Sequence, residues 1–335
     1  MTDTTTEQQQ QSTTSTTSLI TAKSFAALIT VLAVLAVTLA FSTSLRSALS
    51  SALSKTTTTT TTTRSMATAS PAAMKITKRP WAARGHADHD WLYTYHTFSF
   101  ASYYSPHPLH QSFGPLRVIN EDRVKPTTGF GTHSHAEFLI FSYIVNGTLE
   151  HRDSMGNLEN LKRGEVQFTS AGTGIRHSEY NRNDKDEVHF LQIWAKPNKS
   201  RLTPHYETKK FTDEQKKDNL VRIMEYTERL GEKTDTSPIG LQADLSMDAS
   251  ILSPGKSVTH EVVAEGPRKI FLQLIMSGRA QPKDGGAKIK VGDTVLGEGD
   301  GAYIEGVSGP GKVQVESVGD KPAEFLLFDM GPEDA

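Results

Sequence analysis

The sequence predicts an all-β fold of two tandem β-barrels behind a low-complexity N-terminal extension. Three observations predict it. Short runs rich in β-branched and aromatic residues recur from residue 75 onward, each bounded by Gly, Asn or Asp turns. Two triplets, His133-Ser134-His135 and His177-Ser178-Glu179, carry the period-2 spacing of a strand. The second half, 206–335, repeats the strand-and-turn style of the first without a paired histidine.

The extension, 1–74, comes first. Thr, Ser and Gln dominate 1–18, and 56–63 is unbroken Thr. Such sequence cannot bury enough apolar surface to order itself. Between these tracts, 25–41 holds no charge and no Pro. With Ser24 and Ser42 it reaches about 19 residues, enough for one transmembrane helix over about 24–42. Lys23 precedes the run, while Arg46, Lys55 and Arg64 follow it. That bias favours a membrane anchor with the folded region in the cytosol. The same acid-poor, Ser-rich stretch also suits a cleaved organelle-targeting segment. A start at Met66 or Met74 would leave the protein in cytosol or nucleus.

Residues 75–205 form the expected N-terminal domain. The run FLIFSYIV (138–145) ends at Asn146-Gly147, a tight-turn pair, and GEVQFT (164–169) is broken by Gly172 and Gly174. Each triplet therefore sits on a short strand. Residues i and i+2 project from one face, so two such strands facing each other would gather three imidazoles and a carboxylate around one point. His133, His135, His177 and Glu179 are the candidate metal ligands. A nitrogen-rich site without thiolates suits one divalent transition metal, expected to be Fe(II), with Ni, Cu, Mn, Co and Zn left open. Four protein donors leave coordination positions for water, oxygen or substrate. An isolated HxH is weak evidence. A second pair about forty residues later, carrying a Glu, is much stronger.

Residues 206–230 read as a charged connector with a little helix. Residues 240–331 return to short strands, among them IFLQLIMSG (270–278) and EFLLFDM (324–330). His260 is the sole histidine there and reads as a surface or packing group, so 206–335 is expected to be a metal-free barrel. Trp91, Tyr93, Tyr95, Phe98 and Phe100 nearly alternate and read as packing, with an aromatic substrate wall as the alternative. Trp194 reads as a strand-end core residue. His86, His89, His96, His107 and His110 match no paired spacing. His151 follows a turn and stays outside the ligand set. The chain has no Cys, which excludes thiolate metal sites and thiol nucleophiles. A net charge of −2 gives no basic face for direct nucleic-acid binding.

From about Met74 to the end the chain resembles the pirins, two-domain members of the cupin superfamily, and most of all their quercetinase-like branch. The matching runs are RGHADHDWLYTYHTFSFASYY (84–104), FGPLRVINEDRV (113–124), GTHSHAEF (131–138), EHRDSMGN (150–157) and SAGTGIRHSEYN (170–181). The resemblance implies two tandem cupin (jelly-roll-like) barrels. It carries the pirin metal ligands onto His133, His135, His177 and Glu179, the residues strand parity selects. It further implies a quercetin 2,3-dioxygenase-type reaction of O2 with a small aromatic, flavonol-like substrate, Glu179 serving as ligand and catalytic base. The alternative is a redox-sensitive regulatory module that binds transcription-factor complexes without turnover. The expected core is monomeric. The first cupin motif usually carries Glu four positions after its second His, and Leu139 stands there instead. Glu137 has inward parity and could partly compensate; the equal alternative is a turn away from the metal.

Overall fold

A computed structural model describes residues 74–333, Val263 excepted. The expected disorder and transmembrane helix of the extension lie outside the described residues. Among the described residues no helix is long and apolar enough to cross a membrane.

The class is all-β. The first half of the chain supplies β1 (Lys75–Arg79), β2 (Gly85–Asp88), β3 (Leu92–His96), β4 (Leu116–Val124), β5 (Gly129–His135), β6 (Leu139–Asn146), β7 (Thr148–Asp153), β8 (Leu158–Lys162), β9 (Glu165–Ser170), β10 (Ile175–Tyr180), β11 (Val188–Ala195) and β12 (His205–Lys210). The second supplies β13 (Val221–Tyr226), β14 (Ile239–Leu241), β15 (Leu245–Leu252), β16 (Ser257–Val262), β17 (Pro267–Leu274), β18 (Lys288–Val291), β19 (Thr294–Gly297), β20 (Gly301–Ser308), β21 (Gly311–Ser317) and β22 (Ala323–Met330). The charged connector 206–230 holds the little helix expected of it, between β12 and β13. Its helix, α1 (Asp213–Lys216), is a single turn, closed by a capping box between Thr212 and Gln215.

The strands form four sheets. In the N-terminal half a seven-stranded sheet, β12-β9-β6-β11-β4-β3-β2, faces a four-stranded one, β5-β10-β7-β8. In the C-terminal half β1-β20-β17-β22-β15-β13-β14 faces β16-β21-β18-β19. β1 belongs to the first half by sequence but pairs with β20, Lys75 opposite Glu305. Asn146-Gly147 does form a turn, with Gly147 at φ 81°. It is no hairpin, since β6 and β7 lie in different sheets and the turn carries the chain between them.

Alternation sorts the side chains of each large sheet. Leu139, Phe141 and Tyr143 of β6 join Leu191 and Ile193 of β11 in a core shared with Met247, Phe271, Leu326 and Phe328 of the C-terminal half. The opposite faces look into the two interiors. The C-terminal interior is one apolar cluster that includes Leu252, Ile270, Leu272, Ile289, Val313 and Phe325. The N-terminal interior is divided. Leu92, Val124, Ile144, Leu149 and Phe190 pack in one patch, and Ile140, Ala171 and Ile175 in another.

Candidate metal centre

Strand β10 is the middle of the centre. It pairs with β5 on one side, with His177 directly opposite His133, and with β7 on the other, with Glu179 opposite His151. The two triplets are thus neighbours within one sheet and do not face each other across the interior. A register shift between His177 and Glu179 loosens the β5–β10 ladder at this point. Gly129 lets the strands approach: a Cβ there would stand 2.3 Å from the Glu179 carbonyl oxygen.

His133, His135 and His177 bring one donor atom each within 4.8 Å of one another, and His151, His177 and Glu179 do the same. The Nε2 atoms of His133 and His177 are 3.1 Å apart. Two donors at right angles on an ion with bonds of about 2.1 Å lie about 3.0 Å apart, so this spacing fits a shared metal. Tautomers fit as well. His133 Nδ1 donates to the Gly131 carbonyl at 2.7 Å, which leaves Nε2 with its lone pair. Burial first, then the neighbouring imidazoles, pushes His135 down to about 4 and His177 down to about 3. Both rings are neutral at pH 7, the state a metal ligand needs.

Glu179 is buried. Gln192 Nε2 donates to its Oε2 at 2.8 Å, and Ser142 Oγ to its Oε1 at 3.3 Å. These donors belong to a polar row that crosses the large sheet in register. His96 lies opposite Asn120, Asn120 opposite Gln192, Gln192 opposite Ser142, and Ser142 opposite Gln167. The row runs between the two apolar patches and forms the floor beneath the carboxylate. Asp122, one step along β4 on the same face, is buried. Burial first, with the charges of Glu179 and Glu121 adding and the Thr94 hydroxyl opposing, pushes its carboxyl up to about 7.

A cavity of about 360 Å³ lies between floor and histidines, lined by Trp91, Phe100, Asn120, Asp122, Phe130, His133, His135, Glu179, Gln192 and Trp194, with Gly129 and Gly131. Trp91 meets Phe130 edge-on with centroids 5.0 Å apart, and Phe100 meets Trp194 at 5.3 Å. Trp194 also packs on His135 at 4.8 Å. The aromatic run therefore divides. Trp91 and Phe100 reach the cavity, whereas Phe98 is buried against Phe271 and Tyr303 in the shared core.

Glu137 turns away at φ 61°, and its carboxylate accepts from Arg201 N at 3.0–3.1 Å. Leu139 enters the shared core on the face opposite Ser142, so an acid at that position would not reach the cavity. His151 is fully buried behind His177, stacked on Tyr206 and bonded through Nε2 to Asp153 at 3.3 Å. His260 is not a surface group. It is buried between Asp248 (3.2 Å from Nδ1) and Asp329 (2.9 Å from Nε2), and Arg268 completes the cluster at 2.8 Å from Asp329. Burial alone would lower it, but the two aspartates raise it to about 9.

Fold and donor set together define an all-β protein with a site for one divalent metal. Comparison with known proteins names the family. A family profile described as Pirin matches residues 78–195. The chain is 36% identical over 249 residues to a quercetin 2,3-dioxygenase of Escherichia coli O157:H7, covering 74% of this chain and 96% of that protein. Its counterpart in Escherichia coli strain K12 is 35% identical over the same shares. The solved structure of YhhW from Escherichia coli superposes with a TM-score of 0.66 at 34% identity, covering 77% of this chain and 98% of that one. Bacterial pirin YhhW from Escherichia coli in complex with nickel(II) gives 0.64 at 33% identity, covering 77% and 100%. The chain belongs to the pirin family.

Proposed function

We propose that this pirin is a quercetin 2,3-dioxygenase-type enzyme built on two cupin barrels, the first of which opens a flavonol-like substrate with O2 at a mononuclear Fe(II) site. His133, His135, His177 and Glu179 would hold the ion. The reading rests on one observation: His177 shares donor clusters with His133 and His135 on one side and with Glu179 on the other, and His133, His135 and Glu179 line an aromatic-lined cavity of about 360 Å³. The bound ion supplies Lewis acidity and one-electron exchange. The chain supplies the rest. Trp91, Phe100, Phe130 and Trp194 give a planar ring its apolar contacts and exclude water. Glu179, steered by Gln192 and Ser142, takes the proton of the substrate hydroxyl. Oxygen uptake matched to loss of quercetin, by protein loaded anaerobically with Fe(II), is the test. No turnover at full metal content would leave the regulatory module as the better reading. For the extension we propose a membrane anchor with a cytosolic enzyme. Release of the full-length chain by alkaline carbonate would exclude that anchor.

A further inference from the structure

The cavity floor contains polar atoms that the protein itself leaves unsatisfied. Asp122 is 3% exposed and Asn120 is 5% exposed, and both line the cavity. Asp122 Oδ1 and Asn120 Oδ1 are buried without a hydrogen-bond partner. Leaving such atoms unpaired is costly, and natural proteins rarely do so without a reason. The neighbour on the other face of the same strand shows what a structural acid looks like here. Glu121 takes Arg84 at 2.9 Å, His189 at 3.1 Å and the Met276 amide at 2.8 Å. Asp122 has no comparable set, only the Thr94 hydroxyl opposite it on β3.

We propose that Asp122, with Asn120 beside it, forms a specificity subsite that accepts hydrogen bonds from phenolic hydroxyls of the aromatic ligand. The subsite deepens the flavonol reading and rests on it. An ionised carboxylate is acceptor-only, so the matching ligand group must donate. The edge-on aromatic pairs at the two sides admit a flat ring, and the floor is the polar surface that ring would meet besides the imidazoles and Glu179. A phenol supplies both features, a flat apolar body and a donor at its rim. A ligand lacking the donor leaves the carboxylate desolvated and unpaired, which is how a buried polar group discriminates.

Calorimetric titration of the full-length, Ni(II)-loaded protein without oxygen at pH 8 tests the assignment. The probes are quercetin and 3-hydroxyflavone, which keeps the enol and lacks the phenolic hydroxyls. The wild type should prefer quercetin by about tenfold or more, the scale of one hydrogen bond to a charged group. Asp122→Leu should bring the preference to within about twofold, with its affinity for 3-hydroxyflavone held within about threefold. Asp122→Asn should keep part of the preference, because a carboxamide oxygen still accepts. A second readout separates ligand recognition from a structural role. Removing a buried carboxylate that has only the Thr94 hydroxyl beside it should leave the ligand-free protein as stable as the wild type or more so in urea. An unchanged preference in Asp122→Leu, or a destabilised Asp122→Asn, overturns the subsite alone. Failure of the wild type to bind either compound overturns the flavonol reading and the subsite with it.

Discussion

The two halves fill their interiors in opposite ways. The C-terminal interior is one continuous apolar cluster, and its charged end is closed on itself, with His260 held between Asp248 and Asp329. The N-terminal interior is split into two apolar patches, with imidazoles on one side of the gap and a polar row on the other. Histidine is protonated in the first setting, at about 9, and neutral in the second, where His135 and His177 are pushed to about 4 and about 3. Partners decide the difference. Carboxylates on both ring nitrogens make a histidine a cation that is part of the packing. Imidazoles as neighbours leave lone pairs for an added ion.

The sharpest way to break this comparison is to remove one histidine from each half. His177→Ala should lose the ion and all turnover, whereas His260→Ala should keep one equivalent by elemental analysis. Equal metal contents would erase the distinction. The stability ranking should reverse. His260→Ala leaves Asp248 and Asp329 sharing the single charge of Arg268 and that of Arg222 in a buried setting, at a cost of about 3–5 kcal/mol by urea unfolding. A loss under about 1 kcal/mol would show the cluster to be dispensable.

Next in size are the pH windows of the metal-free protein, which should be opposite for the two halves. His260 has a raised value. Its contribution, on the order of 3 kcal/mol, is complete below about 6.5 and fades as pH rises through about 9. His135 and His177 have lowered values. The unfolded chain binds their protons more readily, so stability falls as pH drops from about 6.5 toward 4 and 3. Urea midpoints from pH 4 to 10 should therefore trace a dome. In His260→Ala the alkaline limb should flatten and the acid limb should stay. The smallest effect is expected at the floor. Ser142 reaches Glu179 at 3.3 Å, a long bond, so Ser142→Ala should weaken metal affinity by about fivefold, as measured by competition with a chelator.

The four candidate ligands were legible because a strand repeats every two residues and the triplets do too. Much of the supporting shell was not, since it depends on register between distant strands. Asn120, Gln192, Ser142 and Gln167 form one row only through three separate pairings. For three of them the signal was present all the same: a polar residue stands between apolar neighbours in FLIFSYIV, VQF and FLQIWA. Leu139 misled for a definite reason. Counting four positions on from His135 assumes an unbroken strand, but Glu137 at φ 61° separates β5 from β6 and resets the parity. His260 is the packing group of its two readings, but its charge was not legible because neither Asp248 nor Asp329 is near it in sequence.

Strand β1 bears on how the chain comes together as it is made. Lys75–Arg79 leaves the ribosome before any of the N-terminal half, yet its partner Gly301–Glu305 lies near the end of the chain. The first strand must wait, unpaired at the rim, until nearly the whole polypeptide has emerged. Closing so long a loop is entropically slow and favours late docking over early nucleation. The metal-bearing half, whose strands are all in hand by Lys210, can fold first. The pairing of β20 with β1 then joins the two ends of the folded region late in synthesis, with only β21 and β22 still to come.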